Sequence, residues 1–385
     1  MDKDLGIYIH IPFCISKCHY CDFNSYSNVI EDNIEKYINS LCNEIITYSE
    51  ILSTRNIKSI YFGGGTPSYI ASKYITQILT TLKMVTTLNP DISITIEINP
   101  KTLTINKALE YKEVGINRVS IGLQSTYNDI LKTIGRCHTY EDFLDTIKIL
   151  EDIGFDNISC DIMYPLPNLT PEKFKYTLDT IVNNKSIKHI SIYNLEVHKG
   201  SKLDFLLKEG YISLCNEDDE YIMRNDINQI LLNNGYIDYE ISNYSKKGYE
   251  SVHNLMYWNG EEYLGFGAGA SSFLNSNRFT NTNDLNIYIK GYSDIENVSS
   301  NAVITTSDDL SLDDLKKEYA ILQLRLKYGI DTFVYYDKFK SNVLEDFKEA
   351  INGNISKGLL IKENNNIYLT PRGKEIANIV WESFI

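Results

Sequence analysis

Three cysteines fall within eight positions near the start of the chain, Cys14, Cys18 and Cys21, spaced Cys-x₃-Cys-x₂-Cys. Thiols this close on one polar loop form a metal-ligand set and not a core stripe. Two metal groups suit them. An iron–sulfur cubane is held by cysteine thiolates and takes four ligands, so three would leave one iron open to a non-protein ligand. A structural zinc ion would take the same three with His10 or His19 as the fourth. Structural zinc usually joins two paired ligand elements, and no second Cys/His pair follows at suitable spacing, which favours the cluster. The other four cysteines, Cys42, Cys137, Cys160 and Cys215, are scattered and read as inert.

Other polar residues close apolar runs. Gly63-Gly64-Gly65-Thr66-Pro67 follows the run Ile57–Phe62. Glycines let backbone amides and carbonyls approach a ligand closely. No Gly-Lys-Ser/Thr follows, which argues against a phosphate-binding loop, and a plain tight turn is the blander alternative. Glu97 ends the alternating run Ile94-Thr95-Ile96, and a buried glutamate needs a charge or hydrogen-bond donors beside it. Gln124 and Ser125 end another run, Arg136 follows Ile134-Gly135, and Asp161 lies within Cys160–Tyr164. Carried on successive strand ends, these groups would converge on one pocket.

The elements that must position them are legible as alternating patterns. Strand candidates are Ile7–His10, Ile57–Phe62, Ile92–Ile98, Asn117–Gly122, Asn157–Tyr164 and His189–Leu195. Between them apolar residues recur at helical spacing, as in Ile34, Tyr37, Ile38, Leu41 and Ile45, or Phe143, Leu144, Ile147, Leu150 and Ile153. Strand–helix units in series imply an α/β fold with a parallel sheet, and ligands of such sheets gather at the C-terminal ends of the strands.

Beyond residue 200 the pattern loosens to a helix over Asp218–Asn233, a strand over Tyr239–Ser242 and a Gly/aromatic segment, Trp258–Phe273. Ile295 to Ser307 reads as a linker. Helical patterns at Leu312–Lys327 and Val343–Gly353, a hairpin over Leu359–Thr370 and a closing helix then resemble a winged-helix module. Expected domains are therefore 1–295 and 308–385. Segment 308–385 carries 11 Lys and Arg against 13 Asp and Glu, so no basic recognition face stands out and a structural or lid role is expected.

Bulk composition narrows the class. With 43% apolar and 23% charged residues the chain can build a sizeable core. A net charge of −14 argues against general nucleic-acid binding. The first residues show no basic region followed by an apolar stretch and cleavage site, and no run approaches membrane-spanning length. The expectation is a cytoplasmic protein in a reducing compartment, with at most transient membrane contact.

The cysteine loop resembles the motif of the radical S-adenosylmethionine (radical SAM) superfamily. Tyr8-Ile9-His10-Ile11-Pro12-Phe13-Cys14 and the Gly-Gly-Gly-Thr-Pro run resemble the oxygen-independent coproporphyrinogen III oxidase (HemN) family, and the likeness extends from Gly6 to the C-terminal module. It implies a partial (β/α)₆ barrel with a small α+β winged-helix-like C-terminal domain, and a [4Fe–4S] cluster on Cys14, Cys18 and Cys21. In the superfamily SAM completes the open iron, and an electron from the reduced cluster cleaves it to a 5′-deoxyadenosyl radical. The resemblance places Gly64, Gly65 and Thr66 on the amino-acid part of SAM, with further cofactor contacts at Tyr8, Tyr20, Glu97, Gln124, Arg136, Asp161 and Leu195.

Two branches of that family separate on visible features. The oxidase branch has a fourth cysteine two positions past the cluster motif and a long N-terminal extension. Here Phe23 holds that position and few residues precede the first strand. Cys21-Asp22-Phe23-Asn24-Ser25-Tyr26 and His253-Asn254-Leu255-Met256-Tyr257-Trp258 are instead similar to the HemW branch. That branch implies haem as cargo, delivered to acceptor proteins such as respiratory cytochromes, with His253 a haem-related candidate. An imidazole can ligate iron and an indole can stack on a porphyrin, but a packed, hydrogen-bonded connection is the blander alternative. An oxidase acting on coproporphyrinogen III remains the competing function. The chain departs from the family pattern at Pro165, where Gly is usual, and at His198-Lys199, where Glu-Pro is expected.

Overall fold

The computed structural model describes residues 3–295 and 303–385. Six strands alternate with helices: β1 (Asp4–Ile11), β2 (Asn56–Gly64), β3 (Ser93–Ile98), β4 (Arg118–Gln124), β5 (Asn157–Tyr164) and β6 (Ile187–Asn194). The crossovers are α1 (Glu31–Thr47), α2 (Ser72–Val85), α3 (Ile105–Val114), α4 (Tyr140–Ile153) and α5 (Pro171–Asn183). Local signals set their limits. Thr139 and Asp142 form a capping box at the start of α4, and Gly154 ends it in the left-handed conformation. After α6 (Glu217–Asn233) come β7 (Ile237–Asp238), β8 (Asn243–Ser245), the short helix α7 (Val252–Trp258), β9 (Tyr263–Phe266), β10 (Ser271–Leu274), β11 (Asn277–Asn281) and β12 (Ile304–Asp309).

Among the described residues these twelve strands form one open sheet in the order β12-β11-β10-β9-β1-β2-β3-β4-β5-β6-β8-β7. From β9 to β6 all neighbours are parallel, with Tyr8 of β1 beside Tyr61 of β2 and Gly265 of β9. The sheet does not close into a barrel, and antiparallel strands extend it at both edges. The strand expected over Tyr239–Ser242 is displaced: Ile237–Asp238 and Asn243–Ser245 pair with each other instead. Part of the expected linker is β12, paired with β11, while residues 296–302 lie outside the described set.

The core follows from a two-residue period. Leu5, Ile7, Ile9 and Ile11 of β1 are fully buried, as are Ile60 and Phe62 of β2, Ile121 and Leu123 of β4, and Cys160 and Ile162 of β5. They meet apolar stripes of the crossover helices, such as Tyr37, Ile38, Leu41 and Ile45 of α1. Each buried branched side chain contributes about 1.5–3 kcal/mol. The alternate residues face the other way, and α7 packs on that polar side: Ser59 Oγ lies 2.8 Å from His253 and donates to Met256 Sδ at 3.3 Å.

A second apolar cluster, including Tyr319, Leu324, Ile330, Tyr335, Ile367 and Val380, organises the C-terminal segment. Its helix α8 (Leu312–Gln323) is followed by further short helices and a three-stranded antiparallel sheet of Ile330–Asp331, Asn366–Leu369 and Leu360–Glu363. The expected helix over Val343–Gly353 breaks at Phe347, and the closing helix is two short ones, Pro371–Glu375 and Ala377–Glu382. Polar contacts tie this unit to the sheet. Lys327 and Lys374 both reach Asp238 (2.6 and 2.8 Å), and Gln323 Nε2 donates to the Trp258 carbonyl at 2.9 Å.

One buried carboxylate holds β9 and its neighbours to α1. Glu44 accepts from the Gly267 amide (2.8 Å), Asn281 Nδ2 (2.7 Å) and the Tyr288 hydroxyl. Glu44→Ala strands three buried donors, which costs on the order of 3 kcal/mol. A urea unfolding midpoint equal to that of the parent protein would exclude this role.

Candidate functional site

The cysteine loop leaves the C-terminal end of β1 and is held from several sides. Phe13–Cys14 pairs with Tyr26–Ser27, closing the loop on itself. The Gly65 amide donates to the Ile11 carbonyl and the Thr66 amide to that of Phe13, both at 2.9 Å, so the Gly-Gly-Gly-Thr run carries the base of the loop. Two histidines tie it further. His10 Nε2 donates to the Asn24 carbonyl (2.9 Å), which leaves Nδ1 to accept from the Tyr8 hydroxyl (3.0 Å). His19 Nδ1 donates to the Thr133 carbonyl at 2.9 Å, and its amide to the Ile134 carbonyl at 3.0 Å.

Each histidine needs a glycine. A Cβ on Gly64, at φ +109°, would stand 2.5 Å from the His10 ring, and one on Gly135, at φ +79°, would stand 2.6 Å from that of His19. No side chain fits either position. The glycines of both motifs thus serve the loop's anchors as well as any ligand.

Cys14, Cys18 and Cys21 are free thiols lining a cavity of about 410 Å³. Thr66 Oγ1 lies 3.5 Å from Cys14 Sγ, and Arg136 Nη1 lies 3.5 Å from Cys18 Sγ. Burial raises the Cys14 and Cys21 thiols; the Thr66 hydroxyl opposes this at Cys14, and a backbone bond from Phe23 opposes it at Cys21. Among the described residues no three His, Cys, Asp or Glu side chains converge at single-ion distance. The rings of His10 and His19 are engaged in main-chain bonds. A donor set of spaced thiols fits a cluster, whose irons are held at separate corners, better than a Cys₃His zinc ion.

The opposite wall comes from the strand ends. Glu97 on β3 accepts from the Tyr61 hydroxyl (2.8 Å), and burial pushes its carboxyl up to about 7. Asp161 on β5 accepts from Ser120 Oγ (3.2 Å); burial raises it too, opposed by its bond from Ser191 and by the Arg118 charge. Gln124 sits at φ +73°, where β4 slips register against β5, and its Oε1 is buried without a partner. A non-glycine residue held there stores strain of about 1–3 kcal/mol, as residues at functional sites often do. Arg136 donates to the Gly122 carbonyl and to Asn99 Oδ1, leaving Nε unpartnered. An orphaned acceptor and an orphaned donor beside one cavity suit a ligand bearing both charges.

Of the residues read from sequence, Tyr20, Gly64, Gly65, Thr66, Glu97, Gln124, Arg136 and Asp161 line this cavity with the three cysteines. Tyr8, Leu195 and His253 do not. Tyr8 lines a neighbouring cavity of about 860 Å³. Leu195 is buried in the core, its amide bonded to the Tyr164 carbonyl at 2.6 Å. His253 is buried, with Nδ1 2.8 Å from Ser59 Oγ and Nε2 2.8 Å from the Tyr257 hydroxyl. Burial pushes it down to about 3, with the Arg118 charge adding, so the ring is neutral and both nitrogens are occupied.

Several site residues lie outside every motif. Asn99 bridges Thr66 Oγ1 (2.8 Å) and Arg136. Tyr193 and Asn194 at the end of β6 line the cavity, and His198 lies 3.4 Å from Asp22 across its mouth. Asn99 was findable as the polar residue after Glu97 on the same strand end; Tyr193 and Asn194 close the expected strand His189–Leu195, and His198 stood out only as a departure from the family pattern.

The radical SAM superfamily model matches residues 8–181, and that of the HemN C-terminal domain residues 310–376. Over 386 residues the chain is 32% identical to the haem chaperone HemW of Bacillus subtilis (strain 168), with 98% of each chain covered. It is likewise 32% identical to the haem chaperone HemW of Lactococcus lactis subsp. lactis (strain IL1403), covering 100% of this chain and 98% of that one. Among solved structures the chain is similar to coproporphyrinogen III oxidase (HemN) from Escherichia coli, a radical SAM enzyme, at a TM-score of 0.84 and 20% identity, covering 100% of this chain and 90% of that one. The last is a likeness of fold.

Glu97 has a consequence for stability. Its folded carboxyl, near 7, lies above the ordinary value of 4.5, so the folded state holds the proton longer. Its contribution to stability is complete below about pH 4.5 and is lost as pH rises through about 7. Glu97→Gln should flatten the decline in melting temperature over that range, leaving the part that belongs to other carboxyls raised by burial, among them Asp161 and Glu44, the latter to about 7. An unchanged slope would mean that Glu97 is ionised in the folded protein.

Proposed function

Because the chain belongs to the HemW family of radical SAM proteins, we propose that it binds haem and delivers it to acceptor proteins such as respiratory cytochromes. In this reading Cys14, Cys18 and Cys21 hold one [4Fe–4S] cluster, and SAM occupies the 410 Å³ cavity beside them. When bound, the reduced cluster supplies an electron to the sulfonium of SAM. The observation that carries the site is three free thiols lining one cavity with carboxylates suited to a cation.

The chain's own residues have separable tasks there. Thr66 and Arg136 offer a hydroxyl and a cation to the sulfurs of Cys14 and Cys18. Arg136 can take a ligand carboxylate, while Glu97, Asp161 and the unpartnered Gln124 Oε1 can face its cationic part. A cationic ligand favours ionised carboxylates, so SAM binding should strengthen as pH rises through about 7. Tyr61 orients Glu97, and Asn99 orients Arg136.

Phe23 favours delivery over oxidation of a porphyrinogen. It stands, 63% exposed, where the oxidase branch carries its fourth cysteine. No helix among the described residues is long and apolar enough to cross a membrane.

The test is anaerobic titration of the reconstituted protein with haem, followed by assay of the same sample with coproporphyrinogen III and SAM. Stoichiometric haem binding without protoporphyrinogen formation is expected. Turnover without haem retention would make the protein an oxidase instead. Replacing Cys14, Cys18 and Cys21 together by Ala should abolish iron and sulfide incorporation, and full incorporation in that variant would remove the cluster assignment.

A further inference from the structure

A larger cavity, about 860 Å³, adjoins the one lined by the cysteines, and Lys17, Asp22, Phe23 and Ser25 line both. Its volume lies in the upper part of the range for small-molecule sites. One wall is the cysteine loop and another is the aromatic end of α7, Tyr257 and Trp258. The third is β11, through Arg278, and the fourth is the C-terminal unit, through Glu318 and Leu322 of α8. The His-Asn-x-x-Tyr-Trp element is thereby divided: its histidine packs against β2, while its Tyr and Trp face this space.

Arg278 is the feature on which occupancy would turn. Its Nη1 lies 2.5 Å from Glu318 Oε1, with side chains 36% and 27% exposed, so the pair is neither deeply buried nor freely solvated. The guanidinium also bonds Tyr263 and lies 5.6 Å over the Phe273 ring, which holds it at the cavity wall. The Glu318 carboxylate therefore occupies, from within the same chain, the cation that an anionic guest of this cavity would seek. Lys17 supplies a second cation and bonds the Phe23 carbonyl at 3.2 Å.

We propose that this cavity seats the tetrapyrrole and that Arg278 anchors one of its carboxylates, taking it in exchange for Glu318. The proposal rests on the haem-binding reading and adds where the ligand sits and what opposes it. Exchanging one carboxylate for another on the same guanidinium conserves charge and hydrogen bonds, so it costs little in either direction. A seat built this way binds without trapping, as transfer to an acceptor requires. It also couples occupancy to the C-terminal unit, because Glu318 leaves β11 when the ligand enters.

The experiment titrates full-length, cluster-reconstituted protein with haem and with haem dimethyl ester, which lacks free carboxylates. Arg278→Gln should weaken haem binding about tenfold or more and leave the diester within about twofold. Glu318→Gln removes the competitor and should tighten haem binding several-fold, again with little effect on the diester. Iron content and SAM binding of both variants serve as the folding control. Equal haem affinities in the wild type and both variants would overturn the exchange, as would losses shared equally by haem and its diester. Absence of stoichiometric haem binding in the wild type would overturn the haem reading itself, and this seat with it.

Discussion

Leu5, Ile7, Ile9 and Ile11 are fully buried against the helical layer, and Gly6, Tyr8 and His10 between them turn to the other side of the sheet. That two-residue period recurs through the parallel strands and is the constraint from which the site follows. Parallel sheets covered by helices on both faces have strands that are apolar throughout. Here the crossover helices cover one face. The second face carries Tyr61, Glu97, Arg118, Ser120, Asp161, His189 and Tyr193 at positions that would otherwise be core.

A polar face inside a protein is stable only if its groups satisfy one another. Pairs across neighbouring strands do this: Tyr61 with Glu97, Ser120 with Asp161, and Ser159 with His189, whose other nitrogen meets Tyr239. Arg118, 2% exposed, lies in their midst, with its Nε unpartnered. Its charge favours ionised Glu97 and Asp161 and disfavours protonated His189 and His253. At both carboxyls burial outweighs Arg118 and favours the proton, so a bound cation would draw the wall facing the cysteines toward its ionised form.

The cysteine loop adds a second dependence. Its conformation is imposed from several sides: His10 of β1 grips its main chain at Asn24, its own His19 grips the turn at Thr133–Ile134, and Asn24 Nδ2 donates to the Ala268 carbonyl at 3.1 Å. The Gly-rich run after β2 and the glycine before Arg136 make room for those histidines. The same motifs therefore position the thiols and line the cavity, so a substitution at Gly64 or Gly135 disturbs the loop before it disturbs a ligand.

What was legible from sequence divides along physical lines. The central strands were readable because half-buried strands alternate. The same alternation at Tyr8 and His10, Thr95 and Glu97, and Ser159 and Asp161 already carried the signature of a sheet with helices on one side. The misplaced strand at Tyr239–Ser242 and the unrecognised β12 are edge elements. Ile304–Asp309 has almost entirely exposed side chains, so its pairing leaves no hydrophobic period to read. His253 shows the limit of a motif: its residue type admits metal ligation, and its surroundings in the fold engage both ring nitrogens.

The sequence by itself determined the thiol set, the strand–helix order and the polar residues at the strand ends, because these depend on spacing along the chain. Only the tertiary structure decided which of those residues share a cavity, that Asn99 bridges Thr66 and Arg136 there, and that Arg278 meets Glu318 beside a second cavity. Those are contacts between strands and helices far apart in sequence, where local periodicity carries no information.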